Sequence, residues 1–271
     1  MLAKLKWLGI LALFLPTWTA ALTAPFTVVV DPAWEHAQAI DVQAVLDSNI
    51  LSIAPYIGNR HLDTVIIKNA EQGPISLYER DPSGDYVVLL DVNGNYWSQL
   101  TYQFSHEICH LLSNYDLAPN NVSKQQWFEE SLCESFSLFT LSKMADQWEE
   151  HPPYPNWKDY APDFRKYLDD MLKEPHRSLA PNLAAWYQEN KATLEADPVA
   201  QERVLNEKIA SHLLKIFSEH PESWAAINYI NLGDDSKDKS LQRYLQDWYD
   251  NTPEPYRATV KEIQQQFGMT G

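Results

Sequence analysis

Two histidines four residues apart stand at the centre of the chain, in the segment His106-Glu107-Ile108-Cys109-His110. In an α-helix, positions four apart are offset by only about 40°, so both imidazoles can reach one metal ion, zinc being the ion this donor pair suits. Glu107 is rotated about 100° from His106. That sets its carboxylate beside the ion rather than on it, where it could take a proton from a water molecule activated by the metal. The pattern arises from composition alone in roughly one or two chains per hundred of this length, so its surroundings decide its meaning. Trp97, Leu100, Tyr102, Phe104, Leu111 and Leu112 flank it in a largely buried helix, with a polar side at Ser98, Gln99 and Gln103. Burying two imidazoles and a carboxylate with neither ligand nor partner would be costly.

A zinc ion that works on water needs a third protein ligand and an open fourth position. Downstream comes the aromatic-led segment WFEESLCESFSLF, beginning at Trp127. HExxH followed about 20 residues later by a glutamate in such a segment resembles the gluzincins, the clan of thermolysin and the aminopeptidase N-like enzymes. Residues 96–141 carry the resemblance, and the rest of the chain follows it only in outline. Matched position by position, the tryptophan–x–x–glutamate pattern puts the third ligand at Glu130, with Glu129 as the competing choice. It also makes Glu134, one turn on, a candidate to hydrogen-bond a ligating imidazole. The implied reaction is hydrolysis of a peptide bond, with Glu107 as general base and the metal stabilising the oxyanion. The implied fold is an α+β, thermolysin-like catalytic domain, with a small N-terminal mixed sheet followed by a mostly helical C-terminal lobe.

The chain also departs from the clan. The oxyanion-stabilising tyrosine of the Tyr-Glu-Lys-Gly helix in the aminopeptidase-like branch falls at Asn206, in Asn206-Glu207-Lys208-Ile209, with Tyr229 and His212 as possible substitutes. The Gly-x-Met-Glu-Asn motif that captures a free amino end is missing upstream of His106, which argues against a typical aminopeptidase. The remaining alternatives are a non-catalytic zinc-stabilised binding or assembly protein derived from a gluzincin, and a helical interaction module in which the motif is accidental. An intact Glu107 favours catalysis over the first, because a structural site has no need of a base. Cys109 and Cys133 flank the metal-bearing helices and could form a disulfide, remain two buried thiols, or lend a thiolate to the metal.

The elements that must position these groups read as follows. Residues 1–21 form a signal peptide, with Lys4 and Lys6, a short apolar run and Pro16 before a cut after Ala21. The protein is therefore expected to be secreted or periplasmic, without stable membrane insertion once the signal is removed. Residues 22–118 form a sheet-containing lobe, with strands at 26–30, 64–67, 75–78 and 86–92, a covering helix at 33–54, and the HExxH helix at 96–115. The last two strands read as a hairpin around Asp81-Pro82-Ser83-Gly84. Residues 119–271 form a helical lobe with helices at 125–148, 162–173, 183–196, 200–219, 222–230, 241–249 and 254–267. Asn121-Val122-Ser123 matches a glycosylation acceptor.

Composition fits an ordinary globular chain, with 45% hydrophobic and 21% charged residues, and 10 tryptophans against 8 glycines favour a helix-rich, firmly packed body. The formal charge of −16 moves to −18 when the signal and its two lysines are lost. That excludes the basic face nucleic acid requires and disfavours anionic lipid surfaces. The expected partners are a peptide or protein substrate and one zinc ion per chain.

Overall fold

Three short runs rich in apolar residues turn Val28, Val65, Ile67, Val88 and Leu90 into the core, and they pair side by side. A computed structural model describes residues 24–34, 36–115, 124–196, 202–234 and 236–269. The expected signal segment and the glycosylation acceptor lie outside these residues. The strands are β1 (Val28–Val30), β2 (Val65–Asn69), β3 (Ile75–Ser76) and β4 (Tyr86–Leu90), in the order β1-β2-β4-β3. β1 and β2 run parallel, as do β2 and β4, and β3 alone runs antiparallel against β4. The fold class is α+β, a small mixed sheet joined to a predominantly helical remainder.

The covering helix α1 (Ala39–Ile53) starts six residues later than its apolar spacing suggests. His36 adopts a left-handed backbone with φ of 58°, which interrupts a helix before Ala39. Gln43 of α1 then completes the sheet edge: its amide accepts from Val30 N–H and donates to the Val28 carbonyl, both at 3.1 Å. The third strand is also shorter than expected, although Leu77 N–H still donates to the Val87 carbonyl. Tyr78 therefore sits just past the paired edge.

The HExxH helix is α2 (Trp97–Leu112). Its polar side is an anchor rather than a solvent face. Gln103 accepts from Asp91 N–H and donates to the Asp91 carbonyl, each at 2.9 Å, and Gln99 donates to the same carbonyl. Ser76 Oγ of β3 donates to the Glu107 carbonyl at 3.1 Å. The sheet edge and α2 are thus fixed to each other.

α3 (Gln126–Glu150) is buried on every side, which explains why it has no clear amphipathic stripe. Trp127, Phe128, Leu132, Phe136 and Trp148 are fully buried, and the hydroxyls of Ser131, Ser137 and Thr140 return to carbonyls one turn back. Around it pack α1, α2, α4 (Ala161–Leu172) and α6 (Arg203–Glu219), while α5 (Leu183–Ala196), α7 (Leu241–Asn251) and α8 (Glu254–Gln266) complete the helical part. The segment expected as a helix at 222–230 is a 3-10 helix, Pro221–Tyr229. Its tighter winding lays Trp224 on Phe217, with ring centroids 3.9 Å apart, and lets Asn228 donate to the Ile57 carbonyl. Two shorter 3-10 stretches, Pro155–Tyr160 and Pro175–Arg177, lead into and out of α4. Among the described residues, no helix is long and apolar enough to cross a membrane.

Cys109 of α2 and Cys133 of α3 are joined by a disulfide, with Cα atoms 5.1 Å apart. The link closes a loop of 24 residues. Loop-closure entropy puts its contribution at about 3 kcal/mol, felt through the unfolded chain. A double Cys109→Ser, Cys133→Ser variant should lose about that much in urea unfolding; an unchanged midpoint would mean the bond constrains nothing.

Candidate metal centre

α2 and α3 cross where both carry their chemistry. His106 and His110 stand on the α2 face turned towards α3, and their Nε2 atoms lie 3.3 Å apart. Glu130 reaches between them: its Oε2 is 3.1 Å from His106 Nε2, and its Oε1 is 3.5 Å from His110 Nε2. A tetrahedral zinc ion with ligand bonds of about 2.0–2.2 Å requires ligand atoms roughly 3.3–3.6 Å from one another. Two of the three observed separations fall at that edge length and the third, 3.1 Å, is slightly shorter, with the two imidazoles facing different Glu130 oxygens. The donor set of two imidazoles and a carboxylate is one that zinc accepts.

Neighbouring glutamates face different nitrogens of the same ring. Glu129, the competing choice for third ligand, places Oε1 2.9 Å from His110 Nδ1, on the side of the ring away from His106. That carboxylate is itself tied down, since Ser113 Oγ and Asn231 Nδ2 each donate to it at 2.8 Å. Asn231 takes a left-handed backbone, with φ of 62°, and accepts from the Tyr244 hydroxyl at 2.7 Å. Glu134 lies near the other ring, 4.0 Å from His106 Nδ1. It accepts from the Tyr102 hydroxyl, and Arg177 Nη2 lies 2.7 Å away. Arg177 also reaches Glu207 of α6 at 3.2 Å, and Arg203 binds Glu207 at 2.8 Å. Arg177, Asn231 and Tyr102 have no local sequence signature that would have placed them here.

The electrostatics report a shortage of positive charge. Burial pushes the His110 imidazolium towards neutrality, but Glu130 and Glu129 outweigh it and hold the pKa well above the ordinary histidine value. Burial likewise works against the Glu130 carboxylate, and His110 with His106 overcomes it, so its pKa falls well below the usual range. Arg177 is buried at a cost to its charge, yet Glu134 and Glu207 raise its pKa above the arginine norm. Tyr102 is held firmly as a neutral phenol by burial and by Glu134.

The centre opens into a cleft of about 610 Å³. Pro74, Ile75, Ser76 and Tyr78 line its sheet side, and Arg203, Asn206 and Glu207 its α6 side. His106, Glu107, His110, Glu130 and Glu134 lie between these two walls. Glu107 is 4% exposed, and among the described residues its carboxylate has no hydrogen-bond partner. Asn206 is thus brought to the cleft, but the two substitutes considered for it are not. Tyr229 packs against the core, and His212 Nε2 accepts from Ala180 N–H at 2.9 Å. A thiolate ligand is ruled out by the disulfide, although Cys133 Sγ lies 3.6 Å from His110 Nδ1.

No family model, curated protein or solved structure matches the chain. The chemistry of the centre therefore rests on its own geometry.

His212 gives a prediction away from the metal residues. Burial, reinforced by Lys208 and Lys215, depresses its pKa from 6.5 to about 4. Between those values the unfolded chain binds the proton and the folded chain does not, so stability falls as pH drops from 6.5 towards 4. The stability gap between wild type and His212→Gln should narrow over that range in urea titrations. A gap independent of pH would contradict a buried neutral imidazole.

Proposed function

We propose that the chain is an exported zinc metallopeptidase of the gluzincin type, with His106, His110 and Glu130 as zinc ligands. The observation that carries this reading is the spacing of the three ligand groups near a tetrahedral edge, with the Glu107 carboxylate in the same cleft. The disulfide between the two ligand-bearing helices supports export, since such bonds persist in oxidising compartments.

Zinc bound there would supply Lewis-acid activation of water and of a carbonyl oxygen. The protein's own groups do the rest. Glu107 accepts a proton from the attacking water and returns it to the departing amine nitrogen, so the proton balance closes within one turnover. Glu129 holds the His110 ring through Nδ1, which selects the tautomer with Nε2 free for the ion. Glu134, braced by Arg177 and Tyr102, lies 4.0 Å from His106 Nδ1, beyond hydrogen-bond reach, and contributes negative charge beside that ring. Asn206 offers an amide from the α6 wall to the substrate.

Purified protein reconstituted with zinc should hold about one ion per chain; failure to retain any would sink the reading. Glu107→Gln should keep that zinc while peptide cleavage falls at least ~100-fold, and full activity in that variant would leave a non-catalytic zinc protein as the better account. Glu129→Ala should weaken zinc binding by roughly 10- to 100-fold in a chelator competition, because His110 loses its orienting partner. Equal affinity would show that the ring is held by packing alone.

A further inference from the structure

Acyl transfer to water places negative charge on the former carbonyl oxygen, and a donor aimed at that oxygen is worth more than one aimed at the ground state. The cleft contains three phenols, and two of them are engaged. Tyr102 donates to Glu134, and Tyr115 donates to the Leu77 carbonyl at 2.6 Å. The third, Tyr78, has no hydrogen-bond partner for its hydroxyl among the described residues, and the residue is 52% exposed at the cleft wall. The basic groups are engaged too, because Arg203 is held by Glu207 and the Tyr102 hydroxyl.

The position of Tyr78 is built. Leu77, immediately before it, is pinned on both sides of its peptide, with N–H donated to Val87 and carbonyl accepting from Tyr115. The Tyr115 ring then backs the Tyr78 ring, with centroids 5.1 Å apart. An exposed aromatic fixed at its backbone and along its ring, with its polar end free, is arranged for a ligand rather than for the core.

We propose that Tyr78 is a catalytic residue, donating its phenolic O–H to the oxygen that becomes negative when water adds to the substrate carbonyl. This rests on the peptidase reading. The carbon–oxygen bond to water forms, the carbonyl π pair moves onto oxygen, and the proton lost by water goes to Glu107. Collapse restores the carbonyl, breaks the bond to nitrogen and delivers that proton to the amine. Tyr78 gives a hydrogen bond throughout and keeps its own proton. Burial, with the nearby Glu129 and Glu130 charges, raises its pKa and keeps the phenol protonated. The donor thus stands on the sheet wall, opposite Asn206 on α6.

The test uses the zinc-loaded full chain and a fluorogenic peptide chosen from a library digest. Tyr78→Phe should retain one zinc and its thermal stability, lose ~100- to 1,000-fold in kcat with KM within about threefold, and bind a phosphonate peptide analogue correspondingly less tightly. A kcat within about threefold of wild type in an enzyme that does cleave would overturn the role of Tyr78 and leave the peptidase reading standing. A raised KM at unchanged kcat would make the ring a substrate platform and overturn it equally. If the zinc-loaded wild type cleaves nothing in the library, the peptidase reading fails and this inference with it.

Discussion

Two imidazole nitrogens and one carboxylate, brought within 3.1 to 3.5 Å of one another, form the contact around which the rest of the structure is arranged. His106, His110 and Glu130 are held in that relation by two helices that are themselves immobilised. α2 is clamped to Asp91 and to the edge strand, α3 is buried all round, and a disulfide joins the two one residue before His110 and three after Glu130. None of these constraints lets the ligand atoms move apart cheaply. The packing of the two helices therefore fixes the spacing of these three side chains.

The surroundings of that contact are rich in carboxylates. Glu107, Glu129, Glu130, Glu134 and Glu207 gather within one cleft and its walls, answered by Arg177 and Arg203. Four of the five carboxylates are buried, and one of the two guanidiniums is not. The His110 pKa is raised because the Glu130 and Glu129 carboxylates outweigh the burial of its ring. A divalent ion among the ligands would bring the cluster close to neutrality and release the proton from His110.

What the sequence made legible was local. HExxH is a statement about one helical turn, and the tryptophan–x–x–glutamate segment is another, so both could be read without knowing how the helices meet. The choice between Glu129 and Glu130 could not, because adjacent residues differ by a rotation whose meaning depends on the partner helix. In the fold they address opposite nitrogens of one ring. The α+β class and most helices were readable from spacing. The parallel pairing of β1, β2 and β4 was not, because β1 and β2 are joined by a crossover through α1, and β4 returns from β3 to insert beside β2. Arg177 and Asn231 enter the centre from a 3-10 turn and a loop more than 40 and 90 residues beyond the ligands they support. Nothing near them in the chain announces that.

The same distinction between local and distant explains how the cleft is divided. The two histidines and Glu130 come from α2 and α3, which are joined covalently and packed together. The cleft walls come from other elements: the end of β3, pinned through Leu77, and the first turns of α6, tied to α3 through Glu207, Arg177 and Glu134. Each wall is connected to a ligand-bearing helix by a specific polar link, Ser76 to the Glu107 carbonyl on one side and Arg177 on the other. Both walls are therefore linked to the helices that carry the imidazoles and Glu130. The dimensions of the cleft and the geometry of the centre are set by the same few bonds, so a change that widens one must loosen the other.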